Sequence, residues 1–498
     1  MWITIQTIDE AANGMKIFGW LKKILFVYTA ICGILWSMAS AAPQDTMGDP
    51  TRAQEELARE AREISEQAAR RNGEGLKADR LFVAVTGVEV IGNKAMTREE
   101  VLALVPELKR TIVRIHRLSQ QLQLVNDAGG LKLGARFAPD GECYRVTVTV
   151  EEKKSDHVLV SVGNTGNAYT GDWRLSTSYI NTNASHHADT VGAAVVTSPG
   201  HWDDVKQAAL SYKMLFPKEM GSLVFTASWS DVDLGSVYSI PGLDYTAGGR
   251  GVSVGLHGQK YISYTSRNKD FWDFGIDHKH YDNENRMSFV GVPLAFDYNY
   301  DVTMLSAGYI HNDRSDHHSF TYELGAATNI QGDKEKFDQA TYGSDKNFLI
   351  WKGGASYQYR TKSDWIFGLR LRGQYTNHNV VSSEQIGAGG LYTVRGFNER
   401  AISADTGLIG SFEIFTPEVF KNSRFCIFTD YGTLHNNNDN QPFRSETLGS
   451  AGIGYRYTDE KNGISLRVDY AKIIDDIRQD LLERQGHKQW NVLLTVSF

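Results

Sequence analysis

From His157 to the last residue, Phe498, apolar and polar side chains alternate in segment after segment, each ended by a polar or Gly-rich break. Alternation of period two marks an extended strand with one face apolar. The pattern predicts strands near 157–164, 173–181, 189–198, 204–214, 221–232, 250–259, 269–282, 301–312, 318–331, 347–360, 364–377, 406–416, 423–435, 447–458, 463–474 and 488–498. These make about sixteen, an even number, most of them long enough to cross a bilayer at a tilt. The stretch 284–300 has room for one more. In the last strand Trp490, Val492, Leu494, Val496 and Phe498 share one face, and Asn491, Leu493, Thr495 and Ser497 the other. Strand 463–474 sets Ile464, Leu466, Val468 and Tyr470 against Ser465, Arg467 and Asp469. Strand 364–377 sets Phe367, Leu369, Leu371 and Tyr375 against Arg370, Arg372 and Gln374. A soluble sandwich turns its apolar face inward and a barrel in lipid turns it outward, and periodicity alone fits both. Strand length, aromatic strand ends and the N-terminal segment favour the barrel.

The pattern changes upstream. Residues 81–154 read as a compact α/β unit. Val83 to Val90 is a strand, and Gly92-Asn93 a turn. Thr97 ahead of Glu99-Glu100 and the apolar Val101, Leu102, Leu104 and Val105 fits a capped helix start. Thr111 to Asn126 is a second helix with Ile112, Ile115, Leu118, Leu122 and Val125 on its buried stripe. Leu131 to Phe137 and Tyr144 to Glu152 form a hairpin across Pro139-Asp140-Gly141. The order is strand, helix, helix, strand, strand. Before this unit, Thr51 to Arg71 is Ala- and Glu-rich without Gly or Pro, and places Leu57, Ala61, Ile64 and Ala68 along one helical face; with Glu and Arg interspersed, a solvated linker helix is the alternative reading. Residues 1–41 read as a secretory signal: Lys16, Lys22 and Lys23, then the apolar run Ile24 to Trp36, then Ala39-Ser40-Ala41 at the cleavage positions. Met15 is an alternative start, and a retained anchor an alternative to cleavage. Cys32 follows Ile31, which does not suit a lipoprotein site. Residues 42–80 are then a linker with the helix, and 155–498 the barrel.

Composition agrees with this division. The chain has 498 residues, with 47 Gly and 23 Tyr but only 10 Pro, too long for one ordinary soluble domain. A barrel hides its apolar side chains on alternate residues, so 22% charged residues do not argue against a membrane. The net charge of -7 argues against a nucleic-acid partner. No later stretch is apolar and long enough for a membrane helix. Cys143 and Cys426 fall in different units and suggest neither a disulfide nor a metal site. Gly251-Val252-Ser253-Val254-Gly255 matches a nucleophile elbow, but it lies in an alternating strand rather than a strand-to-helix turn. His186-His187 and His317-His318 are adjacent pairs that point apart, whereas His278 and His280 share a face and read as lining the lumen.

The segment Asn379 to Asp405 is long, Gly-rich and charged, and loops of that kind are functional or disordered. It contains Arg395. If Ile427 and Tyr431 face lipid, alternation turns Arg424, Phe428 and Asp430 inward. Arg395 then clamps an inward-folded loop to Asp430, or it sits on a solvated loop while Asp430 lines a wet pore; the bare residues leave both open.

Val394-Arg395-Gly396-Phe397 and Phe428-x-Asp430-x-Gly432, with an α/β unit ahead of a barrel, resemble the family of POTRA domains joined to an outer-membrane barrel. The Gly-Gly-Leu-Tyr-Thr-Val-Arg-Gly-Phe context and the short upstream part are most similar to two-partner secretion transporters, the haemolysin secretion/activation proteins. The resemblance implies a transmembrane antiparallel β-barrel of about sixteen strands after one POTRA domain and an N-terminal helix that plugs the pore. It implies that Val394, Arg395, Gly396, Phe397, Phe428, Asp430 and Gly432 lock the sixth outer loop to the wall. Phe498 would end the strand that signals to the barrel-assembly machinery. The implied function is export of an unfolded periplasmic partner protein across a bacterial outer membrane, with no enzyme activity, cofactor, metal or nucleotide. Such transporters typically carry two POTRA domains, and one is found here. An insertase, whose relatives usually carry three to five, and a passive porin are the alternatives.

Overall fold

The computed structural model describes residues 49–60, 82–167, 169–240, 243–289, 292–478 and 487–498. The expected signal segment 1–41 and the helix beyond residue 60 lie outside the described residues.

The α/β unit contains β1 (Phe82–Ile91), a helix over Arg98–Leu104, a tight turn over Pro106–Lys109, β2 (Ile112–Arg114), a helix over Ile115–Asn126, β3 (Leu131–Asp140) and β4 (Cys143–Glu152). The sheet order is β2-β1-β4-β3, with β1 and β4 parallel. Thr97 caps the first helix reciprocally: its Oγ1 accepts from Glu100 N, and Glu100 Oε2 accepts from Thr97 N at 2.7 Å. The second helix begins at Ile115, not Thr111. Thr111, Ile112 and Val113 are β-branched, and such residues favour extended backbone. Here the strand Ile112–Arg114 pairs with Phe82–Ala84, burying Val113 and exposing Ile112, which is therefore not on the buried stripe. Glu107 is buried and accepts from Arg114 N, Nε and Nη2 at 3.1, 2.9 and 3.0 Å. Burial pushes its carboxyl upward, but the Arg114 bonds outweigh that and hold it below the ordinary range.

The rest of the chain closes into an antiparallel barrel of sixteen strands. They are β5 (Asp156–Gly163), β6 (Arg174–Asn181), β7 (Thr190–Thr197), β8 (Val205–Phe216), β9 (Gly221–Ile240), β10 (Leu243–Tyr264), β11 (Asn268–Phe289), β13 (Tyr298–Arg314), β14 (His318–Gln331), β15 (Leu349–Arg360), β16 (Ile366–Tyr375), β20 (Thr406–Phe415), β21 (Ser423–His435), β22 (Ser445–Asp459), β23 (Ile464–Asp475) and β25 (Trp490–Ser497). The extra strand that 284–300 had room for is present only as a four-residue piece and does not cross the barrel. That stretch lengthens β11 and β13, and the short β12 (Val292–Ala295) folds back on the tip of β11. Strands β9 to β11 also outrun their sequence pattern by several residues. Beyond the apolar band their outward faces turn polar, as in the Arg250–Asp231 pair at 3.3 Å, so the alternation stops while the ladder continues. The barrel closes between β25 and β5, where Leu493–Ser497 pair with Leu159–Gly163 and Phe498 exchanges backbone hydrogen bonds with Val158.

Alternation governs both faces. Trp490, Leu494, Leu369, Leu371 and Tyr375 are exposed on the outside, and Asn491, Asp469 and Gln374 are buried inside. One assignment reverses. His278 and His280 continue the outward row of Trp272, Phe274 and Ile276, and both approach Asp301 on the outside of β13. They do not line the lumen. The Gly251–Gly255 run lies inside β10, which continues as strand on both sides.

Candidate functional site

The thirty-residue connection between β16 and β20 runs into the barrel instead of over its mouth. Its entry and return pair with each other as β17 (Ile386–Ala388) and β19 (Ile402–Ala404). Its tip turns at Gly389 and Gly390, both at positive φ, and Gly390 N donates to Val394 O at 3.0 Å. The strand that follows, β18 (Gly396–Phe397), pairs with β24 (His487–Lys488) just ahead of the last barrel strand. Val394, Phe397, Ile402 and Ala404 are buried against Ile409, Leu434 and Leu448 of the wall. Apolar packing carries the loop inward, and its polar backbone is satisfied on the way.

At the bottom of the loop Arg395 is 1% exposed and Asp430 fully buried. Arg395 Nε donates to Asp430 Oδ2 at 2.6 Å and Nη2 to Oδ1 at 2.7 Å, a side-on two-bond fork. The Arg395 backbone N donates to the same carboxylate at 3.1 Å. The guanidinium lies 3.4 Å above the centroid of the Phe428 ring. The structure thus brings Arg395, Phe428 and Asp430 together, with Arg395 buried rather than on a solvated surface.

The glycines of both motifs make room. Gly396 sits at φ +96°, and a Cβ there would stand 3.2 Å from Ile473 Cγ1. A Cβ on Gly432 would crowd Leu448 Cδ2 at 3.0 Å, with Val394 Cγ2 at an ordinary 3.5 Å, so this glycine makes room for Leu448. Gly452 on the neighbouring strand plays the same part for Phe428, whose Cζ would be 2.4 Å from an added Cβ. The Phe397 ring stands edge-on to His487.

The charge site is larger than the two motifs. Arg395 Nη1 also reaches Glu413 Oε1 at 2.8 Å and Asp469 Oδ2 at 3.4 Å. Arg456 and Arg467 hold Asp469 at 2.6 and 2.7 Å. Alternation had turned Asp469 and Arg467 inward, but nothing in the sequence tied them to Arg395. A second contact is missing from the sequence reading altogether. Lys279 Nζ on β11 meets Glu384 Oε1 of the loop at 2.7 Å, with Glu384 2% exposed. Gln374 of β16 donates to Glu384 O at 2.8 Å. The loop is therefore tied to two separate sectors of the wall.

The helix over 51–60 lies inside the barrel as well. Ala53 and Leu57 are buried against Leu159, Ile180, Ala194, Val196 and Ala209. Arg52 donates to Thr165 O at 3.1 Å, and the Arg59 guanidinium lies 4.3 Å from the centroid of Tyr392 in the loop tip.

A family model described as haemolysin secretion/activation protein ShlB/FhaC/HecB matches residues 144–457, more than half of the chain. The chain belongs to this family. The heme/hemopexin transporter protein HuxB of Haemophilus influenzae is 22% identical to it over 389 residues, 74% of this chain and 65% of HuxB. The chain thus spans somewhat less than two thirds of that relative. Among solved structures, CdiB from Escherichia coli aligns with a TM-score of 0.70 at 16% identity, covering 89% of this chain and 84% of that one. CdiB from Acinetobacter baumannii aligns at 0.64 and 16%, covering 84% and 74%. BamA from Haemophilus ducreyi, lacking POTRA domains 1-3, aligns at 0.52 and 14%, covering 89% and 93%. At these identities the likeness speaks for the fold. The family is one of two-partner secretion transporters, and this chain has the fold of its POTRA-and-barrel relatives.

Proposed function

We propose that this protein exports one partner exoprotein through the outer membrane, and that Arg395 and Asp430 lock the inner loop in the arrangement the pore needs. The buried fork between loop and wall carries the proposal. A passive porin has no use for a charged loop fixed by two ion-paired contacts, nor for an α/β unit docked on its rim. In this reading the POTRA unit lies in the periplasm and the loop enters from outside. The edge strands β2 and β3 offer backbone groups to an unfolded client, a mode that is weakly sequence-selective. The helix over 51–60 plugs the resting pore. The client's folding outside biases net movement, without nucleotide. Phe498, exposed at the end of the closing strand, is the signal read by the barrel-assembly machinery.

The test compares secreted proteins of a producing strain with and without this gene. Loss of one large exoprotein, with the other outer-membrane proteins at normal levels, is the expected result. A general loss of outer-membrane proteins would favour an insertase. No change in secretion, together with steadily open single channels, would favour a porin.

A further inference from the structure

Inward-facing side chains differ sharply around the wall. On β6 to β9 the inward Ser178, Ala194, Ala209 and Ser228 are buried, because the 51–60 helix lies among them. On β20 to β23 the inward Ser411, Asp430, Ser450 and Asp469 are buried, because the loop fills that sector. On β14 to β16 the loop covers only the end of the inward face, at Ile350 and Gln374, and the inward positions beyond stay open. The ladder sets Gly325, Lys352 and Gln374 side by side, then Glu323, Gly354 and Arg372, then Thr321, Ser356 and Arg370. Gln374 fixes the direction of these rows, since it reaches the loop inside. Glu323, Lys352 and Arg372 are exposed although they point into a closed cylinder, and the Arg370 side chain is 42% exposed. Exposure on the inner face of a closed wall means water. Glycine at 325 and 354 adds no bulk there, and three cations stand with one carboxylate, Glu323, on these strands, while Arg370 also lies 3.7 Å from Glu413 of β20.

We propose that the secreted chain crosses along this β14–β16 wall, and that Lys352, Arg370 and Arg372 are the side chains it touches, favouring polypeptide segments rich in Asp and Glu. The proposal rests on the export reading above. Cations on the wall of a narrow aqueous path attract carboxylates over the length of the path, and their field is strengthened by the low-dielectric barrel around it. They hold no side chain in one geometry, which suits an unfolded chain sliding past.

The closing experiment needs no client. The full-length protein is placed in planar bilayers under a potassium chloride gradient, with the salt as probe. The unsubstituted protein is expected to pass chloride over potassium, with a permeability ratio above one. Lys352→Glu with Arg372→Glu is expected to bring the ratio below one. A ratio unaffected by the pair, or an unsubstituted protein that prefers potassium, overturns the proposal while leaving export itself untouched. Should the double variant fail to insert, Lys352→Cys and Ser178→Cys are compared under a charged methanethiosulfonate reagent, with the unsubstituted protein setting the baseline from Cys143 and Cys426. Block at 352 and none at 178 supports the route. Equal block at both, or none at 352, refutes it.

Discussion

Replacing Arg395 by Ala and Asp430 by Ala should not have equal effects, although the two residues form one pair. Asp430 is fully buried, and among the described residues the hydrogen bonds it accepts come from Arg395: backbone N, Nε and Nη2. Arg395→Ala leaves that carboxylate with the backbone N–H alone. Removing one partner of a buried pair costs about 3–5 kcal/mol, because the other charge stays behind unpaired. At about 1.4 kcal/mol per tenfold, the docked loop loses roughly two to three and a half powers of ten in population. Asp430→Ala leaves Arg395 with Glu413 at 2.8 Å and Asp469 at 3.4 Å. Its loss is that of charged hydrogen bonds, about 1.5–3 kcal/mol. The double variant strands neither group and should cost less than the sum. The assay scores surface level, protease cleavage within 376–405 and secretion of the partner in the same cells. Arg395→Ala should show the most cleavage and the least secretion at normal barrel levels. Equal behaviour of the two single variants, an additive double variant, or a loop as protected in Arg395→Ala as in the parent would refute the reasoning.

Lys279→Met should loosen the other side of the same loop, since Glu384 is left buried; exchanging the charges as Lys279→Glu with Glu384→Lys should restore protease protection near 384, and failure of the exchange would show that the pair does not act as a unit. Gly452→Ala places a Cβ 2.1 Å from Tyr470 O and 2.4 Å from Phe428 Cζ, so the yield of heat-modifiable folded barrel on gels should fall; an unchanged yield would show that the wall yields there. In the POTRA unit, the lowered Glu107 pKa contributes stability above the unfolded value of about 4.3, lost as pH falls through the folded value. Glu107→Gln should therefore make residues 82–152 more protease-sensitive at neutral pH, with less further increase on acidification than in the parent; a parent and variant with equal acid response would contradict the assignment.

The parts of this fold legible in the sequence are those where lipid imposes a rule. A strand that faces hydrocarbon must be apolar on every second residue, and Leu369, Leu371, Leu494 and Trp490 follow that rule to the outer face. Where lipid ends, so does the rule. The polar ends of β9, β10 and β11 were therefore invisible, and His278 and His280 were assigned to the wrong side, although parity with Trp272 and Phe274 would have placed them correctly. The start of the helix at Ile115 was missed because its amphipathic stripe can be extended backward through Ile112 without penalty; only the pairing of β2 with β1 decides against that. Arg395 and Asp430 were found because each sits in a short motif. Glu384 has no motif, and its partner lies 105 residues away, so only folding brings them together. Glu413 and Asp469 have the same character: inward acids on β20 and β23, with two wall strands between them and nothing local to announce the guanidinium they share.

Among the described residues the two bodies inside the barrel are held by different sets of contacts, and under the export reading the helix is expected to leave first. The helix over 51–60 buries Ala53 and Leu57, and full burial of one Leu is worth about 1.5–3 kcal/mol. Its wall contacts include Arg52 to Thr165 at 3.1 Å and a Gln54–Ser228 hydrogen bond at 3.3 Å, and ordinary hydrogen bonds add about 0.5–1.5 kcal/mol each. The loop has a desolvated fork on β21, a second ion pair on β11 and a continuous apolar cluster around Val394 and Phe397. A pull that acts on both bodies through the Arg59–Tyr392 contact breaks the weaker set first. The helix can then leave while Arg467, which donates to Leu391 O at 3.3 Å, keeps the loop tip where it is. Under the export reading a channel then opens with one wall still occupied, and Lys352, Arg370 and Arg372 stand on the part of β14–β16 beyond the loop's contacts at Ile350 and Gln374.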